Sequence, residues 1–296
     1  MGKQKRSPNT YQKIDTIFKR DINNIIMPYD GLVSPELEYL RGCKFDAEEK
    51  IDGTNTRIEV QRKISASFCV PELQEEWSDY PAEITWEVKY KGKTDNANLP
   101  KKLEDFLKET YTEEKVLAAL GLKKTMSVMN DLDYLTEKGW IIQEPAGNRT
   151  LINLEVVPTM YTLYGEGYGV KIQSCGGSYL KNSNAFIGFD VKVDNLYLLR
   201  ENRDEIFAKL GCPIVPYMGQ FTIDEAIEFV RKGFTSKIAE DPNFLAEGLV
   251  LRTPMGLKNR RGERIIFKVK TCDFVKYRSQ YGTDEKVEQI PNTYIQ

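Results

Sequence analysis

Strand-like alternation recurs in segments far apart along the chain, and this constrains the fold more than any other feature. Arg57-Ile58-Glu59-Val60-Gln61 and Trp86-Glu87-Val88-Lys89-Tyr90 alternate polar and apolar residues, the period of a strand with one solvated face. From Leu151 the texture is again strand-like, in LINLEVV, MYTLYGE, AFIGFDVKV and LYLL. Two last strands, over 248–253 and 264–270, flank a polar turn rich in Arg and Gly. Helical spacing is less frequent. Ser34 caps a helix over 35–40, apolar stripes run through 101–121, and shorter helices fall around 128–135 and over 201–210. Thr222-x-x-Glu225 is a capping box that opens a helix over 222–232. Ile14, Ile17 and Phe18 also sit at helical spacing, residues 1–10 read as a polar, basic frayed end, and 62–83 reads as irregular around Pro71 and Pro81. Strands that outnumber helices and are scattered in this way give an α+β class with antiparallel sheets.

Composition narrows the chemistry. The chain of 296 residues contains no histidine, which excludes Ser-His-Asp and Cys-His catalysis, His-ligated zinc and every imidazole acid–base scheme. Catalysis must run on Lys, Glu, Asp, Arg, Tyr, Cys or a bound metal. The net charge of -2, from 42 basic and 44 acidic residues, means that any nucleic acid is gripped by a local basic groove. Five scattered cysteines without a CxxC pair read as reduced thiols of a cytosol-like compartment. The start, MGKQKRSPNT, has no apolar signal stretch, and Arg6 breaks the myristoylation pattern. No run reaches 18 apolar residues, so no membrane span is expected.

The segment that carries the most chemistry is EKIDGTN at 49–55. A lysine at a strand end, followed by a glycine turn, presents an amine at a pocket mouth, with Asp52 and Asn55 aiming polar groups at what the amine attacks. Such a nucleophile must lose its proton, which burial or neighbouring cations promote. Taken alone, the same residues also suit a solvated hairpin turn.

EKIDGTN resembles the active-site lysine motif, Lys-x-Asp-Gly-x-Asn/Arg, of the covalent nucleotidyltransferases: ATP-dependent DNA and RNA ligases and mRNA capping enzymes. Four further blocks follow in that superfamily's order. YGEGYG at 164–169 places Glu166, FIGFD at 186–190 places Phe189, AEGLVLR at 246–252 places Glu247, and IIFKVK at 265–270 places Lys268 and Lys270 on one strand face. GEGYGVKIQ and KGKTDNANLP make the likeness strongest to RNA ligases of bacteriophages and related viruses. KIDTIFKRD at 13–21 and KTCDF at 270–274 add to it.

The resemblance implies a nucleotidyltransferase (ATP-grasp-like) domain of antiparallel sheets flanked by helices. It implies an ATP-dependent RNA ligase that joins 5′-phosphate and 3′-hydroxyl ends through a covalent lysyl-AMP. Lys50 is then the nucleophile, and Lys268 and Lys270 neutralise the α-phosphate and favour the unprotonated Lys50. Phe189 stacks on the base, with Phe186 as its competitor. Glu49, Asp52, Asn55, Lys93, Glu166 and Glu247 line the nucleotide site, and Glu166 and Glu247 orient a Mg²⁺ (or Mn²⁺) ion, the ribose or both. Lys93, with Lys91 beside it, occupies a position where the family more often has Arg; a lysine keeps the charge and loses the bidentate fork. Lys91, Lys93, Arg57 and the pair Arg260-Arg261 are the candidate RNA phosphate contacts, and Glu155 reads as a structural strand residue.

The expected organisation is a lead-in over 1–45, the adenylyltransferase domain over 46–280 and a short tail over 281–296. The 26 residues after Lys270 leave no room for a C-terminal OB-fold. RNA is the expected partner, protein partners are not readable, and the expected location is cytoplasmic, in a virus-infected host cell. The alternatives are a minimal ATP-dependent DNA ligase, a guanylyl-transferring enzyme, and a non-catalytic nucleotide- or RNA-binding relic.

Overall fold

The computed structural model describes residues 10–27, 31–67, 81–143 and 150–281. They form two compact units. One is built on Asn55–Gly167 and Ala185–Ile214, the other on the described residues of Tyr11–Thr54, Tyr168–Asn184 and Val215–Gln296.

The second unit holds a five-stranded sheet in the order Asp15–Thr16, Ile266–Lys270, Gly248–Arg252, Phe45–Lys50, Tyr217–Phe221. All its pairings are antiparallel except the short outer one, where Asp15 and Thr16 run parallel to Phe267 and Lys268. Alternation sorts its residues into two faces. Phe45, Ala47, Leu249, Leu251, Phe267 and Val269 bury one face against Ile223, Ala226, Ile227 and Val230 of the helix Ile223–Lys232. Each fully buried Phe, Leu, Ile or Val among them contributes about 1.5–3 kcal/mol relative to exposure. The capping box holds as read: Thr222 accepts from Glu225 N, and the Glu225 carboxylate accepts from Thr222 N. The opposite face keeps the charged positions Glu48, Lys50, Arg252, Lys268 and Lys270.

The first unit holds a six-stranded sheet, ordered Leu196–Tyr197, Asn184–Val193, Met160–Gly169, Thr54–Ser67, Pro81–Gly92, Thr125–Ser127, and a two-stranded one from Ile141–Gln143 and Thr150–Ile152. Helices Lys101–Thr110 and Arg200–Leu210 add the α part. The α+β class with mainly antiparallel sheets is therefore as expected.

Several local expectations are corrected. Residues 62–67 and 81–83 are not irregular: they belong to long paired strands, because Lys63 and Ile64 meet Thr85 and Ile84 in register. Pro71 and residues 1–9 and 282–296 lie outside the described residues. The stripe over 101–121 is two helices, since Tyr111 leaves helical geometry and Thr112 caps the second, Glu113–Ala119. The helix around 128–135 falls at Leu132–Glu137, after the strand Thr125–Ser127. Ile14, Ile17 and Phe18 sit in extended chain, held by the sheet edge, and Glu155 lies exposed in a turn rather than on a strand. The final helix, Thr271–Tyr281, was not foreseen. Among the described residues, no helix is long and apolar enough to cross a membrane.

Candidate active site

Within the second unit, the middle strand of the sheet sets the geometry. Gly248 lies opposite Lys50 on one neighbouring strand and opposite Lys270 on the other, so the two lysines flank one backbone position. A side chain there is impossible: Gly248 has φ +150, and a Cβ would meet the Val269 carbonyl oxygen at 1.9 Å. Glu247, immediately before it, sends its carboxylate between the lysines. Oε2 accepts from Lys50 Nζ at 2.5 Å, and Oε1 lies 2.8 Å from Lys270 Nζ. Its own backbone is pinned, for the Glu247 carbonyl accepts from Thr271 N and that of Ala246 from Thr271 Oγ1.

Lys268, two residues back on the same face, has no carboxylate within ion-pair distance among the described residues. Burial, together with the charges of Lys50 and Lys270, lowers its pKa below the usual lysine range. Burial pulls on Lys270 in the same way, yet its hydrogen bond to Glu247 wins and raises its pKa. One half-buried ammonium is thus left with its charge unmatched, which favours an arriving anion.

The turn after Lys50 is clasped. Asp52 N donates to Tyr179 Oη at 3.1 Å, and Cys175 Sγ donates to Asp52 Oδ2 at 2.9 Å. Burial and the adjacent Asp52 carboxylate push the Cys175 thiol up to about 12, so it is a held thiol and not a thiolate. Glu49, by alternation, points away from Lys50 through the sheet. Its carboxylate accepts from Ser236 Oγ at 2.5 Å and Lys237 N at 2.8 Å, and burial raises its pKa despite these donors.

The first unit gathers a second set on one face of its sheet. Gly165 and Gly167 have no room for side chains, because a Cβ on them would lie 2.3 Å from Phe186 and from Leu103 respectively. Glu166 between them therefore projects from the other face, half-exposed on a strand that is otherwise almost wholly buried. Phe186 is fully buried, edge-on to Tyr111, whereas Phe189, three residues on, leaves from the Glu166 face and is half-buried. Of the two, Phe189 is the one whose ring is open to a ligand. On the same face, Asn55 Oδ1 is buried without a hydrogen-bond partner among the described residues, a donor-seeking atom.

Arg57 and Glu59 are the residues whose role the sequence did not disclose. Arg57 is not a surface phosphate contact: it is wholly buried, with Nε 2.8 Å from Glu59, a contact to Asp95, and Nη1 donating to the Lys93 carbonyl at 3.1 Å. Lys91 Nζ lies 3.0 Å from Glu59 and 3.5 Å from Asp95. This cluster fastens the KGKTDNANLP loop and leaves the Lys93 side chain exposed. The signal was the charged alternation of the strand, which looks the same whether its face is wet or buried under a loop.

Comparison with known proteins decides the family. The RNA ligase family model matches residues 44–270. The chain belongs to the RNA ligase family. The matched span starts just before the Lys50 strand and ends on Lys270, so it takes in every residue of the lysine–glutamate group. Solved structures similar to this RNA ligase family chain include Naegleria gruberi RNA ligase variants. One, with ATP and Mn, is 13% identical over 90% of this chain and 58% of that one, at a TM-score of 0.48. Another, with AMP and Mn, is 13% identical over 92% and 59%, at 0.49. The same ligase with pyrophosphate is 15% identical over 95% and 64%, at 0.43. The chain spans about three-fifths of the length of these structures. A search of curated proteins gave no match.

Proposed function

We propose that this chain is an ATP-dependent RNA ligase that works through a lysyl-AMP on Lys50 and joins 5′-phosphate to 3′-hydroxyl ends. The observation that carries the reading is the group of three lysines on the two strands that flank Gly248–Arg252, with the Glu247 carboxylate between Lys50 and Lys270, inside a chain of the RNA ligase family. Unprotonated Lys50 Nζ attacks the α-phosphorus of ATP. The N–P bond forms, the bond from that phosphorus to the β-phosphate bridging oxygen breaks, pyrophosphate leaves with the electron pair, and Nζ loses a proton. Glu247 Oε2, in hydrogen-bond reach, is placed to take that proton. Lys268, with its unmatched charge, and Lys270 stabilise charge on the α-phosphate, the kind of fixed electrostatic help on which phosphoryl transfer depends. Phe189 supplies a stacking face for the base, and Asn55 Oδ1 supplies an acceptor for a substrate donor. Glu166 and Lys93, also in the first unit, are nucleotide contacts by the motif resemblance. The AMP then passes to an RNA 5′-phosphate and is expelled when a 3′-hydroxyl attacks.

ATP enters as its Mg²⁺ complex. Among the described residues no group of three or more His, Cys, Asp or Glu side chains could hold a metal ion, and both Glu247 oxygens already face ammonium groups. The described residues therefore present no cage of their own, in keeping with a cation bound mainly by phosphates. Among the described residues Cys43, Cys175, Cys212 and Cys272 are free thiols, in keeping with a reducing compartment.

The test is labelling. Incubation with ATP labelled at the α-phosphate, then denaturation, leaves an acid-labile AMP on wild type and none on Lys50→Ala; label on Lys50→Ala refutes the assignment. Lys268→Ala and Lys270→Ala each slow adenylation by at least about 10²-fold. Matched nicks with ribose or deoxyribose 3′ ends then separate an RNA ligase, which needs the 2′-hydroxyl, from a DNA ligase, which seals both equally.

A further inference from the structure

The segment that follows GEGYG holds the turn after Lys50 at three points. Asp52 N donates to the Tyr179 hydroxyl at 3.1 Å, the Asp52 carboxylate accepts from Cys175 Sγ at 2.9 Å, and the Gly53 carbonyl accepts from Gln173 Nε2 at 3.0 Å. All of these residues belong to the second unit. The segment is strained where it makes these contacts. Lys171 has φ +63 and Gln173 φ +55, a left-handed region that side chains of their kind rarely enter. The other described non-glycine residues with positive φ, Asn24 and Asp194, are the types whose short polar side chains tolerate it. Strain of this sort persists where the surrounding contacts over-determine it, and it gathers at working sites.

Tyr179 reaches furthest. Its ring is fully buried, edge-on to Tyr168 and Phe244 with centroids 5.7 and 4.9 Å away. Its carbonyl accepts from Glu240 N, and that of Ser178 from Asp241 N. Phe244 lies three residues before Glu247, and Ala246 is pinned in turn by its N–H to the Phe234 carbonyl. One side chain is thus bonded at its tip to the turn that follows the nucleophile and packed at its ring against the chain that delivers Glu247. Lys50 is the last residue of its strand, so beyond it the ladder no longer fixes the backbone. A misplacement of about 1 Å in a reacting group costs about 10²-fold in rate. We propose that Tyr179 and Gln173 are positioning residues for adenylation, which fix the turn over 51–54 and tie the approach of Lys50 to that of Glu247. The proposal rests on the adenylation reading above and adds to it the device that aims the nucleophile.

The experiment uses the full chain and three variants. Gln173→Gly removes the bond to Gly53 and melts close to wild type, because glycine adopts φ +55 without strain. Its adenylation rate at saturating ATP falls about tenfold, while the KM for ATP moves by less than about threefold. Tyr179→Phe keeps the ring and loses the hydroxyl; it shows the same kinetic pattern, with faster amide exchange over 51–54. Lys171→Gly relieves the same kind of strain, leaves the three bonds to the turn in place, and adenylates as wild type. Wild-type rates in both Gln173→Gly and Tyr179→Phe overturn the proposal. A change confined to the KM also overturns it and makes these residues nucleotide contacts. A loss in Lys171→Gly as large as that in Gln173→Gly overturns it too, since the backbone and not the side chain would then be responsible. If wild type takes up no AMP, the ligase reading fails on its own, and hydrogen exchange decides the hold on the turn. Exchange of the Asp52 amide at least about tenfold faster in Tyr179→Phe upholds it, and equal exchange overturns it.

Discussion

Replacing Gly248 by alanine tests the register on which the lysine group depends. The added Cβ would lie 1.9 Å from the Val269 carbonyl oxygen and 2.9 Å from Lys270 Cα, both backbone atoms that no rotamer change can move. Relief requires the Gly248–Arg252 and Ile266–Lys270 strands to part by more than an ångström at that point. Forced repacking of this kind costs about 1–3 kcal/mol, and holding alanine in a backbone region reserved for glycine adds about 1–3 kcal/mol. The combined loss is about 2–6 kcal/mol. At roughly 2–4 °C per kcal/mol, the melting midpoint falls by about 4–24 °C. Parting those strands also stretches the 2.8 Å contact between Glu247 and Lys270, so adenylation measured below the melting range drops at least about tenfold. Gly262→Ala is the control: its φ is +78 but no atom lies within 4 Å of the new Cβ, so only about 1–2 kcal/mol of backbone strain appears. A Gly248→Ala protein that melts and adenylates as wild type would refute the reasoning.

Three further outcomes are expected. Glu59→Ala strips the buried Arg57 of a partner and should cost about 3–5 kcal/mol, read as a lower melting midpoint; an unchanged midpoint would mean that water already reaches the cluster. Phe186→Ala should destabilise by about 3–5 kcal/mol, whereas Phe189→Ala should melt almost normally and raise the KM for ATP about tenfold through a lost stack; the opposite pattern would exchange their roles. Cys175, with its thiol pushed up to about 12, should resist iodoacetamide at pH 8 while exposed Cys43 and Cys272 react; fast labelling of Cys175 would contradict the clasp on Asp52.

Residues whose chemistry follows from local pattern were legible in the sequence. Lys268 and Lys270 share a face because strands repeat every two residues, and Thr222 with Glu225 announces a helix start wherever it lies. Glu247 was readable as part of the group, but its place between Lys50 and Lys270 was not. That place depends on which strands become neighbours, information held in pairings some 200 residues apart. The Arg57–Glu59–Lys91–Asp95 cluster was hidden for a related reason. Burial of a charged strand face depends on where a distant loop folds back, and alternation is blind to that. The helix boundary at Tyr111 was missed because the apolar stripe continues through it, while the Thr112 cap is a single residue easily absorbed into a longer run.

The order of synthesis gives the central strand another meaning. Lys50 leaves the ribosome early, but the strand that aligns it, and the Ile266–Lys270 strand beyond, follow some 200 residues later. At roughly 5–20 residues per second, the nascent chain carries its reactive amine for about 10–40 s before Glu247, Lys268 and Lys270 exist to surround it. On the adenylation reading proposed above, an interrupted translation product that stops before Glu247 has the nucleophile without the groups that take its proton and hold the α-phosphate, so it is expected to take up no AMP.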